Sequence, residues 1–154
     1  MGEVSLEEPI TKSQRTQLGD ALHVYGLELM DDEKEILVEK IVTVIVKMIH
    51  ETDKVPVTNF SMYLTNQLNQ DYHSLAALFS KTKGITIEHF IILHKIERAK
   101  ELITYDELSL AEIASKLNYS SIAHLSNQFK QITGLRPTAF KKFEDKTRKS
   151  LAKI

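Results

Sequence analysis

Beyond Pro56 the chain repeats itself with an offset of fifty residues, and this repeat restricts the fold more than any other feature. Leu75, Phe79 and Gly84 return as Leu125, Phe129 and Gly134. Leu68-Asn69 returns as Leu117-Asn118, with one residue more in the second turn. Each copy reads as a helix, a tight turn opened by Asn, a second helix with core residues at i and i+4, and a Gly that stops it. A short helix packed across a second one through so tight a turn holds that second helix out from the body of the domain. The repeat therefore predicts two helix-turn-helix units.

In the second copy, Ser109 and Glu112 form a capping box that starts the supporting helix, with Ile113, Ala114 and Leu117 facing inward. The following helix is predicted from about Ser121 to Ile132. Ile122, Leu125, Phe129 and Ile132 take one side, while His124, Asn127, Gln128 and Gln131 stand opposite at i, i+3, i+4 and i+7. Carboxamides can bond adenine bidentately in a major groove, so this stripe is able to read bases, with Ser121 and Lys130 beside it. An ordinary solvated face is the plainer reading of the same stripe. The equivalent positions of the first copy are Ser74, Ala77, Leu78 and Lys81, flanked by His73, Ala76, Ser80 and Lys83. Alanines offer a thymine-methyl contact at most, so this helix is expected to bind DNA through Lys81, Lys83 and hydroxyls to phosphate, or else simply to pack. The candidate DNA-contacting set is His73, Ser74, Ala77, Ser80 and Lys81 with Ser121, His124, Asn127, Gln128, Lys130 and Gln131.

Between the copies, Thr86–Ile103 reads as one long helix, with Phe90, Ile91, Leu93, Ile96, Ala99, Leu102 and Ile103 at mostly helical spacing. Such a rigid spacer fixes two recognition helices relative to each other, as entry into successive major-groove segments about 34–36 Å apart requires.

The N-terminal part reads differently. Gly2–Glu7 alternates Val4 and Leu6 with polar neighbours, as a strand does. Thr11 and Gln14 make a capping box for a helix carrying Leu18, Ala21, Leu22 and Tyr25 up to Gly26, and Leu27–Met30 reads as a second short strand. A long apolar helix is expected from Asp31 to about Glu51, opening on four acids. Its two apolar stripes, Leu37, Ile41, Val44, Met48 and Val38, Val42, Ile45, Ile49, fit a core helix, a homodimer seam, or both. Pro56 breaks the pattern and marks a linker. The expected organisation is a strand-helix-strand segment over 1–30, the apolar helix over 31–54, a double helix-turn-helix domain over 57–145 and a basic tail over 146–154.

Charge follows the same division. Residues 1–53 hold 5 Lys+Arg against 12 Asp+Glu, whereas residues 54–154 hold 15 against 9. A basic C-terminal part joined to an acidic one is the balance of a nucleic-acid-binding domain linked to a solvated or protein-facing segment. With no cysteine there are no disulfides and no thiolate metal site, which fits a reducing cytoplasm. No apolar stretch is long enough to span a bilayer, so no membrane partner is expected. The six histidines are scattered, and His89 and His94, five apart, do not share a helix face. Neither a phosphate loop, a metal-spaced cluster nor a nucleophile paired with a base is present, so no catalysis and no cofactor are expected.

The stretch Ile96-Glu97-Arg98-Ala99-Lys100-Glu101-Leu102-Ile103, then Ser109-Leu110-Ala111-Glu112-Ile113-Ala114 and Asn118-Tyr119-Ser120-Ser121, resembles the AraC/XylS family signature. So do Phe129-Lys130, Thr133-Gly134-Leu135-Arg136-Pro137 and Phe140-Lys141. The resemblance covers roughly residues 57–145. It implies seven helices, two of them DNA-binding and joined by a linker helix, and regulation of transcription, activation included, through contact with promoter DNA and RNA polymerase. Asn118 and Tyr119 stand where the family often has Gly then Phe, Asn127 and Ala77 where it often has arginine, and Arg136 where a small hydroxyl residue commonly precedes the proline. The N-terminal segment is similar to the second half of a ferredoxin-like, heavy-metal-associated domain, and the chain would then be a trimmed piece of a longer protein. The expected fold is thus mainly α, tandem AraC-type helix-turn-helix units preceded by a β-α-β segment and a long apolar helix. The competing reading is a dimeric protein-interaction module on a degenerate helix-turn-helix fold.

Overall fold

In the computed structural model, which describes residues 8–27, 32–53, 55 and 59–153, every regular element is an α-helix. The chain divides into two units, Met1–Glu35 and Ile36–Ile154. In the first, α1 (Lys12–His23) starts at the expected capping box: Gln14 N–H donates to Thr11 Oγ1 at 3.2 Å and Thr11 N–H donates to Gln14 Oε1 at 2.9 Å. None of its side chains is buried.

The expected β-α-β segment is corrected here. No strand occurs among the described residues, and Leu27 donates its N–H to the Leu22 carbonyl at 3.0 Å, as part of the turn that ends α1. The strand expected over Gly2–Glu7 and residues 28–30 of the second lie outside the described residues. Among the described residues nothing supports the likeness to half of a ferredoxin-like metal-binding domain.

The long apolar helix is corrected as well. Helix α2 (Asp32–His50) is amphipathic: Val38, Ile41, Ile45, Met48 and Ile49 are buried, while Glu33, Lys34, Ile36, Glu39, Lys40, Thr43 and Lys47 are exposed. Its buried stripe joins the same core as Leu64, Leu75, Ile96 and Leu125, and Leu37, Val42 and Val44 pack at its margin. The chain itself covers most of the face that had been open to a homodimer.

Helices α3 (Phe60–Leu68), α4 (Tyr72–Lys83), α5 (Ile87–Tyr105), α6 (Leu110–Lys116), α7 (Ile122–Thr133) and α8 (Pro137–Leu151) complete the second unit. Pairs α3/α4 and α6/α7 pack as helix-turn-helix units, and α5 contacts α4, α6, α7 and α8. Local chemistry sets the boundaries. Asn69 and Asn118 open the two turns in the left-handed region, at φ 51° and 56°, which asparagine tolerates better than other side-chain-bearing residues. Gly84 and Gly134 close α4 and α7 at φ 75° and 81°, where any side chain would be strained.

The repeat extends further than the sequence pattern showed. Phe79 meets Phe90 edge-on at 5.3 Å, and Phe129 meets Phe140 in the same way at 5.5 Å, so α4 and α7 are each pinned by an aromatic from the helix that follows. Val55, expected in a linker, is buried and donates its N–H to the Lys116 carbonyl at 2.8 Å. The Lys116 ammonium returns to the Asp53 carbonyl at 2.7 Å, fastening this segment to the end of α6. The basic residues expected as a tail from 146 continue α8 to Leu151.

Ser109 caps α6 as its sequence requires, accepting from Glu112 N–H at 3.2 Å while Glu112 accepts from Ser109 N–H at 2.7 Å. Ser109→Ala removes the hydroxyl's half of the box, the bond from Glu112 N–H, and leaves the Glu112 carboxylate its bond from the backbone N–H of residue 109. It is expected to cost about 1 kcal/mol, read as a lower urea midpoint with unchanged slope.

Candidate nucleic-acid interface

The surface that could meet DNA is built on α7. Leu125 and Phe129 are fully buried and fix the helix's rotation, and Ser121 caps it by accepting from His124 N–H at 3.0 Å. With rotation and start both fixed, Ser121, His124, Asn127, Lys130 and Gln131 are exposed, and Gln128 is half-buried. At 3.6 residues per turn Gln128 lies about 40° from His124 on the side toward the core, which accounts for its lower exposure. His124, Asn127 and Gln131 thus form the outward stripe, with Gln128 at its edge.

Two of these side chains are held by neighbours. The Tyr119 hydroxyl donates to Gln128 Oε1 at 2.6 Å, and the His124 ring stands edge-on to Tyr119 at 5.1 Å, with its Nδ1 3.0 Å from Ser120 Oγ. Tyr119 is itself buried, and the Lys95 ammonium of α5 lies 4.9 Å from its ring centroid and 5.2 Å from that of Phe60. Lys95 therefore joins the linker helix to the first helix of one unit and the turn of the other. Neither Tyr119 nor Lys95 was among the candidate residues. The signal was available in Tyr119, because a hydroxyl placed where the fold expects a phenylalanine must find a partner once buried.

Helix α4 presents its equivalent face less openly. His73, Ser74, Ala77 and Lys81 are exposed, Ser80 is half-buried, and Leu78 is half-buried at the step matching Gln128. The Ser74 hydroxyl lies 3.4 Å from Asp71 Oδ2, the carboxylate that caps α4, and Lys83 pairs with Glu39 at 3.5 Å. That leaves Lys81 and His73 as the groups on α4 suited to phosphate, and Ala77 as a small surface permitting close approach. The candidate residues accordingly fall on the equivalent helices of the two copies, α4 and α7 with its cap Ser121, the better-equipped face on α7.

A helix-turn-helix domain model matches residues 64–142. The Msm operon regulatory protein of Streptococcus mutans is 28% identical over 79 residues, covering 51% of this chain and 28% of that protein. The probable transcriptional regulator LumQ of Photobacterium leiognathi is 30% identical over 67 residues, covering 44% of this chain and 27% of that protein. The match thus spans about a quarter of the length of these two curated relatives. Among solved structures, an AraC-type transcriptional regulator from Chromobacterium violaceum superposes with a TM-score of 0.62 at 16% identity, covering 74% of this chain and 96% of that one. The DNA-binding domain of AdpA, solved in complex with a target DNA, superposes with a TM-score of 0.61 at 17% identity, covering 72% and 95%. At such identities the superpositions speak for the fold alone, two helix-turn-helix units on a shared linker helix. With the domain match spanning just over half of its length, this chain belongs to the AraC-type helix-turn-helix domain family.

Proposed function

We propose that this chain is a sequence-specific DNA-binding regulator of transcription that sets α7 and α4 into successive major-groove segments of promoter DNA. The observation that carries this reading is the exposed stripe His124, Asn127 and Gln131 on a helix whose rotation and start are fixed by its unit's core. Relatives named as regulators and a neighbour solved on its target DNA support it. In this reading α7 discriminates bases, while α4 anchors the backbone through Lys81 and His73 and approaches closely at Ala77. Contact with RNA polymerase belongs to the same proposal through the family resemblance. A homodimer through α2 would use what is left of its apolar surface, exposed Ile36 with the margins of Leu37 and Val44. Sedimentation of the purified chain tests that point directly.

Binding is tested by fluorescence polarisation against the duplex upstream of the chain's own gene and a scrambled duplex, over a series of salt concentrations. A preference of roughly 10³-fold with a steep fall in salt is expected. Removing Asn127 and Gln131 together should lower that preference roughly 10- to 100-fold and leave the scrambled affinity alone. Lys130→Ala should weaken both duplexes and flatten the salt slope by about one. Equal, feeble binding to both duplexes would sink the reading and favour the interaction module, whose best support is the paired state of Ser74 and Lys83 on α4.

A further inference from the structure

We infer that Tyr119, a turn residue outside the base-facing stripe, is a positioning residue for sequence discrimination that acts by holding the Gln128 carboxamide. The inference rests on the DNA-reading function proposed above. Tyr119 is only 8% exposed, and its backbone is fixed by the bond from its N–H to the Ala114 carbonyl at 2.8 Å, directly after the left-handed Asn118. The ring is held between groups that belong to other elements: the Lys95 ammonium at 4.9 Å and the His124 imidazole, edge-on at 5.1 Å. A phenylalanine would fill the same space and keep the same ring contacts. What tyrosine adds is one hydroxyl, and that hydroxyl donates to Gln128 Oε1 at 2.6 Å. Burial pushes the phenol's pKa upward, so it remains a donor throughout the range in which the protein is handled.

The consequence lies in Gln128. A glutamine side chain has three rotatable bonds, and ordering it at the moment of binding carries an entropy cost. Tyr119 meets that cost before DNA arrives. One lone pair of Oε1 is engaged, and the second lone pair and the amide NH₂ are left in a defined direction at the edge of α7. Without the hydroxyl, the half-buried carboxamide is free to rotate into water. An unpositioned carboxamide bonds many base edges poorly instead of one well.

The test compares the wild-type chain with Tyr119→Phe, Gln128→Ala and the double variant, on duplexes selected from a random pool by the wild-type chain. Gln128→Ala should relax preference at one or two base pairs, and Tyr119→Phe should relax it at those same pairs by roughly 3- to 10-fold. Affinity for a scrambled duplex should be unchanged and the melting temperature within about 3 °C, because only one hydrogen bond at a half-buried site is lost. In the Gln128→Ala background Tyr119→Phe should have no further effect on preference. Without DNA, the Gln128 side-chain NH₂ resonances should be distinct in the wild type and move to the free-amide position in Tyr119→Phe. A Tyr119→Phe chain with full preference at those pairs, or an equal loss with and without Gln128, would overturn the inference while leaving the DNA-reading function intact. A wild-type chain that enriches no sequence from the pool would remove that function, and this inference with it.

Discussion

Truncating Phe129 to alanine is expected to cost about 3–5 kcal/mol, a large share of the roughly 5–15 kcal/mol that holds a domain of this kind together. The ring is fully buried beneath α7 and meets Phe140 of α8 edge-on at 5.5 Å, with planes 69° apart. Its removal takes away both the transfer free energy of the side chain and the contact that sets the rotation of α7. Phe79→Ala should cost about as much, because Phe79 is equally buried and meets Phe90 at 5.3 Å and 66° at the same step of the repeat. Phe129→Leu keeps an apolar side chain in the pocket and gives up the aromatic pair, so it should lose a smaller amount, roughly 1–2 kcal/mol. Urea denaturation of the three variants measures all of this. A Phe129→Ala loss below about 1 kcal/mol would mean that α7 is held by something other than this ring.

What the sequence disclosed was whatever depends on near neighbours. Capping boxes at Thr11 and Ser109 and glycine stops at 84 and 134 are settled within a turn of helix, and all four are found where the residues place them. The repeat marked the two units because its apolar spacing is also local. The second N-terminal strand illustrates the opposite case. A short run such as Leu27–Met30 reads as a strand, but a strand exists only through a partner, which so short a pattern does not supply, and Leu27 belongs to the turn that ends α1. Helix α2 is legible as a helix, yet its two apolar stripes leave open whether this chain or a second copy covers them, because how much of a face the chain covers depends on distant helices. At the interface, the outward side of α7 followed from its periodicity, whereas the grip of Tyr119 on Gln128 depends on the path of the turn between them. The same applies to Lys95, whose burial is created by rings contributed from α3 and from the α6–α7 turn.

That lysine gives the second large expected effect. Lys95 is 8% exposed, and burial holds its ammonium well below the usual lysine range, at about 8. The rings of Phe60 and Tyr119 return part of the lost hydration, about 0.5–2 kcal/mol for each such contact. Below pH 8 the folded and unfolded chains both carry this proton, and the folded state bears the full cost of keeping the charge out of water. Between about pH 8 and the ordinary lysine value near 10.4 the folded chain releases the proton while the unfolded chain keeps it, so the unfolded state binds more protons and stability rises with pH. Lys95→Met fills similar volume without a charge. It should therefore be more stable than the wild type at pH 7, by on the order of 1–3 kcal/mol, and its margin should shrink as pH is raised toward 10. Comparing the two chains at each pH cancels the titration of every other group, so the change in margin belongs to Lys95 alone. A margin that stays level from pH 7 to 10, or a less stable methionine variant at pH 7, would mean that the two aromatic rings repay the ammonium's desolvation in full.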